Sequence, residues 1–318
     1  MTQFQCPNCG APLDLGPEDR VAVCKNCNTC VTNDKTIIRE HYLLPAHYNA
    51  SEALERLILW LKKQTGMDEE LPVNIQIVSS SLSFFPFWNI QLKAATSYSG
   101  IGPDATYYGP DGFNEFKHIQ KTQKAESGSF DRIFSFTYPT APAVPSQLLS
   151  YEFPTRAKKY FGQSYAKEYG GRVLNGRMSQ QDAEAQARAD ALAAMTSLIM
   201  REVEQITNRE DRIEVSSSYY AHVPVWDITY KFGRKEYRAF VDASTGRVVH
   251  ATYPVSLEYR LRVGTASIGH IAAATLLGLT SASSLSAPLF PLAIGLGSVG
   301  FALALAAVEQ GRARESSN

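Results

Sequence analysis

All five cysteines of the 318-residue chain lie within its first thirty residues, and no other side chains are as well spaced to do chemistry together. Cys6-Pro7-Asn8-Cys9-Gly10 and Cys24-Lys25-Asn26-Cys27 form two C-x2-C knuckles, each able to turn two thiolates toward one ion. Four thiolates close a tetrahedral shell and leave no position for a substrate, so the expected centre is a structural zinc held by Cys6, Cys9, Cys24 and Cys27. Cys30 adds a further C-x2-C register with Cys27 and could replace it as the fourth ligand. A redox role fits poorly. One pair would suffice for it, and no thioredoxin-like strand-helix context surrounds either knuckle.

The remaining reactive types do not converge. His41, His47, His118, His222, His250 and His270 include no His-Glu-x-x-His or Cys-His arrangement, and neither a Gly-x-Ser-x-Gly elbow nor a phosphate-cradling loop occurs. His222 and Asp227 are the nearest His-acid pair, but five positions apart on a strand they face opposite sides. No catalytic or cofactor-binding residue is therefore expected, and the chain reads as a non-enzyme. Gly295-Leu296-Gly297-Ser298-Val299-Gly300 matches the dinucleotide fingerprint letter for letter. No strand precedes it, and glycines in an apolar helix serve close packing, as in the pairs Ala293 with Gly297 and Gly300 with Ala304.

Charge narrows the partners. Lys plus Arg equals Asp plus Glu at 31 each, so no global field favours a polyanion. Around the knuckles Asp14, Glu18, Asp19 and Asp34 outnumber Arg20 and Lys25, and a four-thiolate zinc centre adds a formal charge of about minus two. Such a surface repels phosphate, which argues against nucleic acid and for a protein contact. The N-terminal residues lack the basic and apolar regions of a signal peptide, so the cysteines are expected reduced and in the cytoplasm.

The elements that carry these residues read as helix followed by sheet, twice. Asn49 and Ser51 are candidate caps for a helix from about Glu52 to Gln64, with Leu54, Leu57, Ile58 and Leu61 on one face. Its first turn holds Glu52 and Glu55, and Gly66 lies just beyond its end. A constant offset with no gap then overlays Ile75-Gln76-Ile77 on Ile213-Glu214-Val215 and Ser79-Ser80 on Ser217-Ser218. The same offset places Phe85-Pro86-Phe87-Trp88-Asn89-Ile90 on Val223-Pro224-Val225-Trp226-Asp227-Ile228. A second helix, from about Gln180 to Ile206, precedes the second copy, capped by Ser179 with Asp182. Ala185, Ala189, Leu192, Ile199, Val203 and Ile206 are expected along one of its faces. Each copy reads as strand around its proline and tryptophan, with Trp88 and Trp226 in the core and Asn89 and Asp227 holding turns or facing water.

The second copy continues as a meander through Tyr237–Val241 and Arg247–Tyr253, and the first through Phe116–Lys124 and Phe130–Tyr138 after a swollen loop between Ser99 and Gly112. From Pro139 to Gly171 no period is visible. Val263 to Val308 contains no Asp, Glu, Lys or Arg, which predicts a transmembrane helical hairpin with spans at about Ile268–Leu285 and Leu289–Val308. Arg260, Arg262, Arg312 and Arg314 flank the run and would keep both termini cytoplasmic.

The expected fold class is α+β. It comprises an N-terminal zinc ribbon (1–35), two tandem helix-plus-antiparallel-sheet units (36–140 and 141–262), a transmembrane hairpin (263–308) and a cytoplasmic tail (309–318). This order of a Cys-Pro-x-Cys-Gly ribbon, a helix with Trp60, Phe-Pro-Phe-Trp and Val-Pro-Val-Trp strands and terminal spans resembles a broad family of prokaryotic membrane-attached zinc-ribbon proteins. Such proteins are often mislabelled as helicase-like or transcription-factor-like from the ribbon alone. Val241-Asp242-Ala243-Ser244-Thr245-Gly246-Arg247-Val248 is similar to the end of a PepSY-type unit. The resemblance implies a cell-membrane protein with two spans that helps recruit membrane-stress proteins. The function expected is that of a membrane-anchored, cytoplasm-facing adaptor or assembly subunit, with a protein partner and a place in a homo- or hetero-oligomer. Two alternatives are a membrane-tethered nucleic-acid or transcription regulator and a sensor of a small ligand or peptide.

Overall fold

The computed structural model describes residues 4–102, 105–106, 121–122, 124–141, 144–149, 151, 155–284, 294, 296, 298–302 and 311–313. The fold is α+β. Its first half contains β1 (Val21–Val23), β2 (Cys30–Thr32), β3 (Ile37–Ile38), β4 (His41–Leu43), α1 (Ala50–Leu61), α2 (Leu71–Asn74), β5 (Gln76–Ile101), β6 (Ala105–Thr106), β7 (Lys121–Thr122) and β8 (Ala125–Pro139). There follow α3 (Ser146–Leu149), β9 (Lys159–Tyr160), α4 (Gln163–Glu168), β10 (Arg172–Val173), α5 (Gln180–Ile199), β11 (Gln205–Phe232), β12 (Lys235–Asp242), β13 (Val248–Tyr253), α6 (Leu257–Ser284) and β14 (Gly311–Ala313).

Two compact units divide the chain, and neither is cut at residues 35, 140 or 262. One comprises Met1–Leu44, Phe84–Lys167 and Val173–Val223; the other comprises Pro45–Ser83, Glu168–Arg172 and Pro224–Asn318.

In the first unit β5 pairs antiparallel with β8, from Phe87 opposite Pro139 to Ile101 opposite Ala125, and β11 borders β5 on its other side. β4 runs parallel to β11 and is itself bordered by antiparallel β9. Along β5 the residues Leu92, Ala94, Thr96 and Tyr98 are buried while Gln91, Lys93, Ala95 and Ser97 are exposed, the alternation of a sheet covered on one face. The cover is α5, which packs on β8 and is capped by Ser179 and Asp182 as the sequence predicts. Its buried stripe differs from the expected one. Ala183, Ala187, Ala191, Met195 and Ile199 face inward, whereas Leu192 is exposed, and the helix stops at Ile199, well short of Ile206. Alanines every four residues bring the helix axis close to the sheet, where Trp88, Ile90 and Leu92 fill the volume that large helical side chains would otherwise take.

In the second unit the last part of β11 forms an antiparallel meander with β12 and β13, turning at Gly233 with φ +60°. Helix α1 packs on β12 and β13, with Ala53, Leu57 and Leu61 buried and a capping box between Asn49 and Glu52. The repeat is visible in hydrogen bonds. The Trp88 indole N–H donates to the carbonyl of Met178 at 3.0 Å, and that of Trp226 to the carbonyl of Tyr48 at 2.8 Å. Met178 and Tyr48 each stand immediately before the N-cap of a helix, α5 and α1 respectively. Pro86 and Pro224 likewise accept from the N–H of Thr140 and Ala243, each the residue following the partner strand. At the Pro-x-Trp part of each copy the helices are exchanged with respect to the sequence repeat: Trp88 of the first copy packs with the second helix, and Trp226 of the second copy is bonded to the residue that leads into the first. Asn89 is buried and donates to Thr137 at 3.0 Å, so it does not face water, whereas Asp227 makes a two-pronged ion pair with Arg238.

The expected transmembrane hairpin is not found. Among the described residues no helix is long and apolar enough to cross a membrane, which overturns both the hairpin and the two-span cell-membrane location inferred from it. The first turns of α6 carry Glu258, Arg260 and Arg262, and Thr265, Ser267, His270 and Thr275 interrupt the apolar residues that follow. Ser267 is buried and donates to the carbonyl of Gly300 at 2.7 Å. A Cβ on Gly300 would stand 3.1 Å from the Ser267 carbonyl oxygen, so this glycine permits close packing. Most of the second expected span, Leu289–Val308, lies outside the described residues, as do most of the first-copy strand Phe116–Lys124, His118, and Ala293, Gly297 and Ala304.

Candidate metal centre

Both knuckles fold by the same local rules. The Gly10 N–H returns to the Cys6 carbonyl and the Cys6 N–H to Ala11, while the Asn28 N–H returns to the Cys24 carbonyl and the Cys24 N–H to Thr29. The residue after each second cysteine takes a left-handed conformation, Gly10 at φ +72° and Asn28 at φ +63°. Glycine has no Cβ to clash there, and asparagine is among the few other residues that tolerate it.

These turns bring the four expected ligands together. The sulfurs of Cys6, Cys9, Cys24 and Cys27 all lie within 4.8 Å of one another and could hold a metal ion. Contacts between knuckles are closer: Cys6 Sγ to Cys27 Sγ and Cys9 Sγ to Cys24 Sγ are both 3.6 Å. A tetrahedral ion with arms of about 2.3 Å would separate its sulfurs by about 3.8 Å, so the donor set fits such an ion. Neighbouring groups orient the sulfurs. Asn26 Nδ2 donates to Cys9 Sγ at 3.5 Å, and the Thr29 hydroxyl lies 3.1 Å from Cys27 Sγ. Burial pushes the Cys6 thiol up to about 11; at Cys27 burial acts in the same sense, but hydrogen bonds from Thr29 and Asn8 outweigh it and bring the thiol down to about 6. A divalent ion held by these sulfurs would favour the thiolate form of each.

Cys30 is not part of this group. Its thiol is buried in the core of the first unit with Val21, Val23, Ile38 and Trp88, and desolvation raises it well above the ordinary thiol range. The alternation along the chain at β1 and β2 divides the work, with the ligand Cys24 and, beside it, Val31 turned to the metal group while Val21, Val23 and Cys30 enter the main core. The ribbon is thus continuous with the first unit. Its seam is made by Gly176, which exchanges backbone hydrogen bonds with Val21 and lies so close that a Cβ there would be 2.2 Å from the Tyr220 hydroxyl.

A second polar group was not foreseen from the sequence. His41 Nε2 and His222 Nδ1 are 3.0 Å apart, both rings buried, and His222 Nε2 lies 3.2 Å from the Leu174 carbonyl. The carbonyl can only accept, so His222 carries its proton on Nε2 and accepts from His41 through Nδ1. Phe161 stacks on His41 at 4.2 Å. Burial lowers both rings, His41 well below the ordinary histidine value and His222 to about 4. Asp227, the partner considered from sequence, is engaged with Arg238. The signal that could have found His41 is its place in a short apolar stretch, His41-Tyr42-Leu43-Leu44, that adds a strand beside Tyr220–His222.

No family model, curated protein or solved structure compared with the chain matches it.

Proposed function

We propose that the chain is a protein-binding adaptor or assembly subunit stabilised by a structural zinc ion at Cys6, Cys9, Cys24 and Cys27. The observation that carries this reading is the closed set of four sulfurs, with no nitrogen or oxygen ligand among them. Four thiolates in tetrahedral array suit zinc, whose shell is then complete and leaves no position at which a substrate could be activated. The ion would tie the two knuckles together and so hold β1 and β2 against the core that Val21, Val23 and Cys30 help to build. The buried histidines favour the same reading, since they are hydrogen bonded to each other and to Leu174. Metal analysis of protein purified without added metal should find one zinc per chain. Mild cross-linking of the full chain in its native cell should recover a stoichiometric protein partner. Iron in place of zinc removes the first part of the proposal, and a monomer that cross-links to nothing removes the second.

A further inference from the structure

On the first unit, the face of β4 opposite His41 carries a cluster that the metal centre does not involve. Tyr42 on β4 stands directly across from Tyr160 on β9, their rings 4.9 Å apart. Tyr219 on β11 meets Tyr42 edge to face, with centroids 5.6 Å apart and planes at 86°. Two rings at right angles form a corner, and the ammonium of Lys158 occupies it. Its Nζ lies 3.5 Å from the Tyr219 centroid and 4.8 Å from that of Tyr42. The Tyr42 hydroxyl donates to the Glu40 carboxylate, which adds negative charge beside the rings. Tyr219 is buried and Tyr160 is exposed, so the corner has a firm floor and an open rim.

We propose that Tyr42, Tyr160 and Tyr219, with Glu40, form an aromatic cage for an alkylated ammonium ion, and that Lys158 is its tethered occupant. Aromatic faces and a carboxylate attract any cation, but the cage favours one kind. A primary ammonium has three N–H groups that need acceptors, and tyrosine faces satisfy them poorly. Desolvation in this corner accordingly lowers the proton affinity of Lys158, against the pull of Glu40. A trimethylated or quaternary ammonium has no N–H to leave unsatisfied and fills the corner with methyl groups. Such a ligand displaces Lys158 and takes its position. Because the lysine is attached to the cage, it competes at a high effective concentration and sets the threshold a ligand must exceed. The site does not depend on the identity of the metal or on the adaptor reading.

The test uses the full chain and its Lys158→Ala variant, titrated by ligand-observed NMR with choline, with a peptide carrying trimethyllysine, and with 3,3-dimethylbutanol, the uncharged isostere of choline. Choline should bind Lys158→Ala about tenfold tighter than the unaltered chain, and the isostere should not bind. Adding Tyr219→Leu to Lys158→Ala should abolish choline binding. Because Tyr219 is buried, Tyr42→Leu is the parallel test, with the thermal midpoint recorded for each variant. A peptide that binds well above choline assigns the cage to a methylated protein partner, and equal binding assigns it to a free small cation. Equal binding of choline and its isostere, or no gain on removing Lys158, overturns the proposal.

Discussion

Asn28 occupies in the second knuckle the position Gly10 occupies in the first, and its left-handed backbone is the most restrictive local demand near the metal ligands. Asn28→Val should therefore cost about 1–2 kcal/mol, read as a lower urea midpoint, while Asn28→Gly should be close to neutral. The cysteines separate by role. Cys24→Ser should lose the metal, whereas Cys30→Ser should keep it and instead lose about 1–3 kcal/mol of stability by placing a hydroxyl in the apolar core. Metal content and unfolding curves on the same preparations distinguish the two. The histidine pair makes stability depend on acid. Both rings are neutral when folded and have lowered proton affinity, so their contribution is full above about pH 6.5, where the unfolded chain is also neutral. As pH falls from about 6.5 toward about 4, the unfolded chain binds protons that the folded chain refuses, and stability drops. For His222 alone the loss is about 3 kcal/mol. Urea unfolding at about pH 7 and about pH 4.5 should show it, and a His41→Gln, His222→Gln double variant should have a flatter profile.

Helices α1 and α5 meet their sheets through different chemistry, although each presents the carbonyl before its N-cap to a tryptophan. In α1 the contact is made by Ala53, Leu57 and Leu61; in α5 four of the five residues that turn inward are smaller or more flexible, with alanine at 183, 187 and 191 and Met195. The sheet beneath α5 supplies the bulk in Trp88 and the partly buried Phe134, Phe136 and Tyr138. Overpacking this interface should be costly: Ala187→Leu should destabilise by about 1–3 kcal/mol, whereas Ala185→Leu, on the exposed face, should be nearly neutral. Trp88→Ala and Trp226→Ala should each cost about 3–5 kcal/mol, since each removes a large buried ring and leaves a helix-entry carbonyl without its donor. Thermal unfolding of the single variants checks both sets. If either tryptophan variant unfolds like the parent, the paired anchoring of helix to strand is not what holds the repeat together.

At the scale of the whole molecule, each compact unit draws on both halves of the sequence. The first needs Val173–Val223 as well as Phe84–Lys167, and the second needs Pro45–Ser83 as well as Pro224–Asn318. Cutting the chain between the two sequence repeats would therefore leave the strand containing Trp88 without α5, and the meander β11–β12–β13 without α1. Residues 1–140 and 141–318 expressed separately should each lack a cooperative unfolding transition, and mixing them should restore one. A sharp transition in 1–140 alone would show that the first sheet finds its helix within its own repeat.

What can be read in a sequence is what short spacing controls. Two cysteines with two residues between them can be turned toward one ion by a single tight turn, so the two knuckles were legible, although the same spacing between Cys27 and Cys30 makes no such pair. Capping boxes at Asn49 with Glu52 and Ser179 with Asp182 were legible too, because each closes within one turn. The gapless match around Pro-x-Trp announced equivalent strands, and the shared tryptophan and proline hydrogen bonds follow from it. Tertiary structure alone decided which helix covers which strand, since an apolar stripe fits any apolar sheet and only the packed volumes select between partners. The same applies to the separation of Cys30 from the other cysteines, to the burial of Asn89 beside Thr137, and to the meeting of His41 with His222. Each was settled by a neighbour far away in sequence, which spacing does not reveal. The long uncharged segment misled for a related reason. Absence of charge measures what a helix lacks, whereas spanning a membrane requires sustained apolarity, and α6 mixes serine, threonine and histidine into its apolar residues.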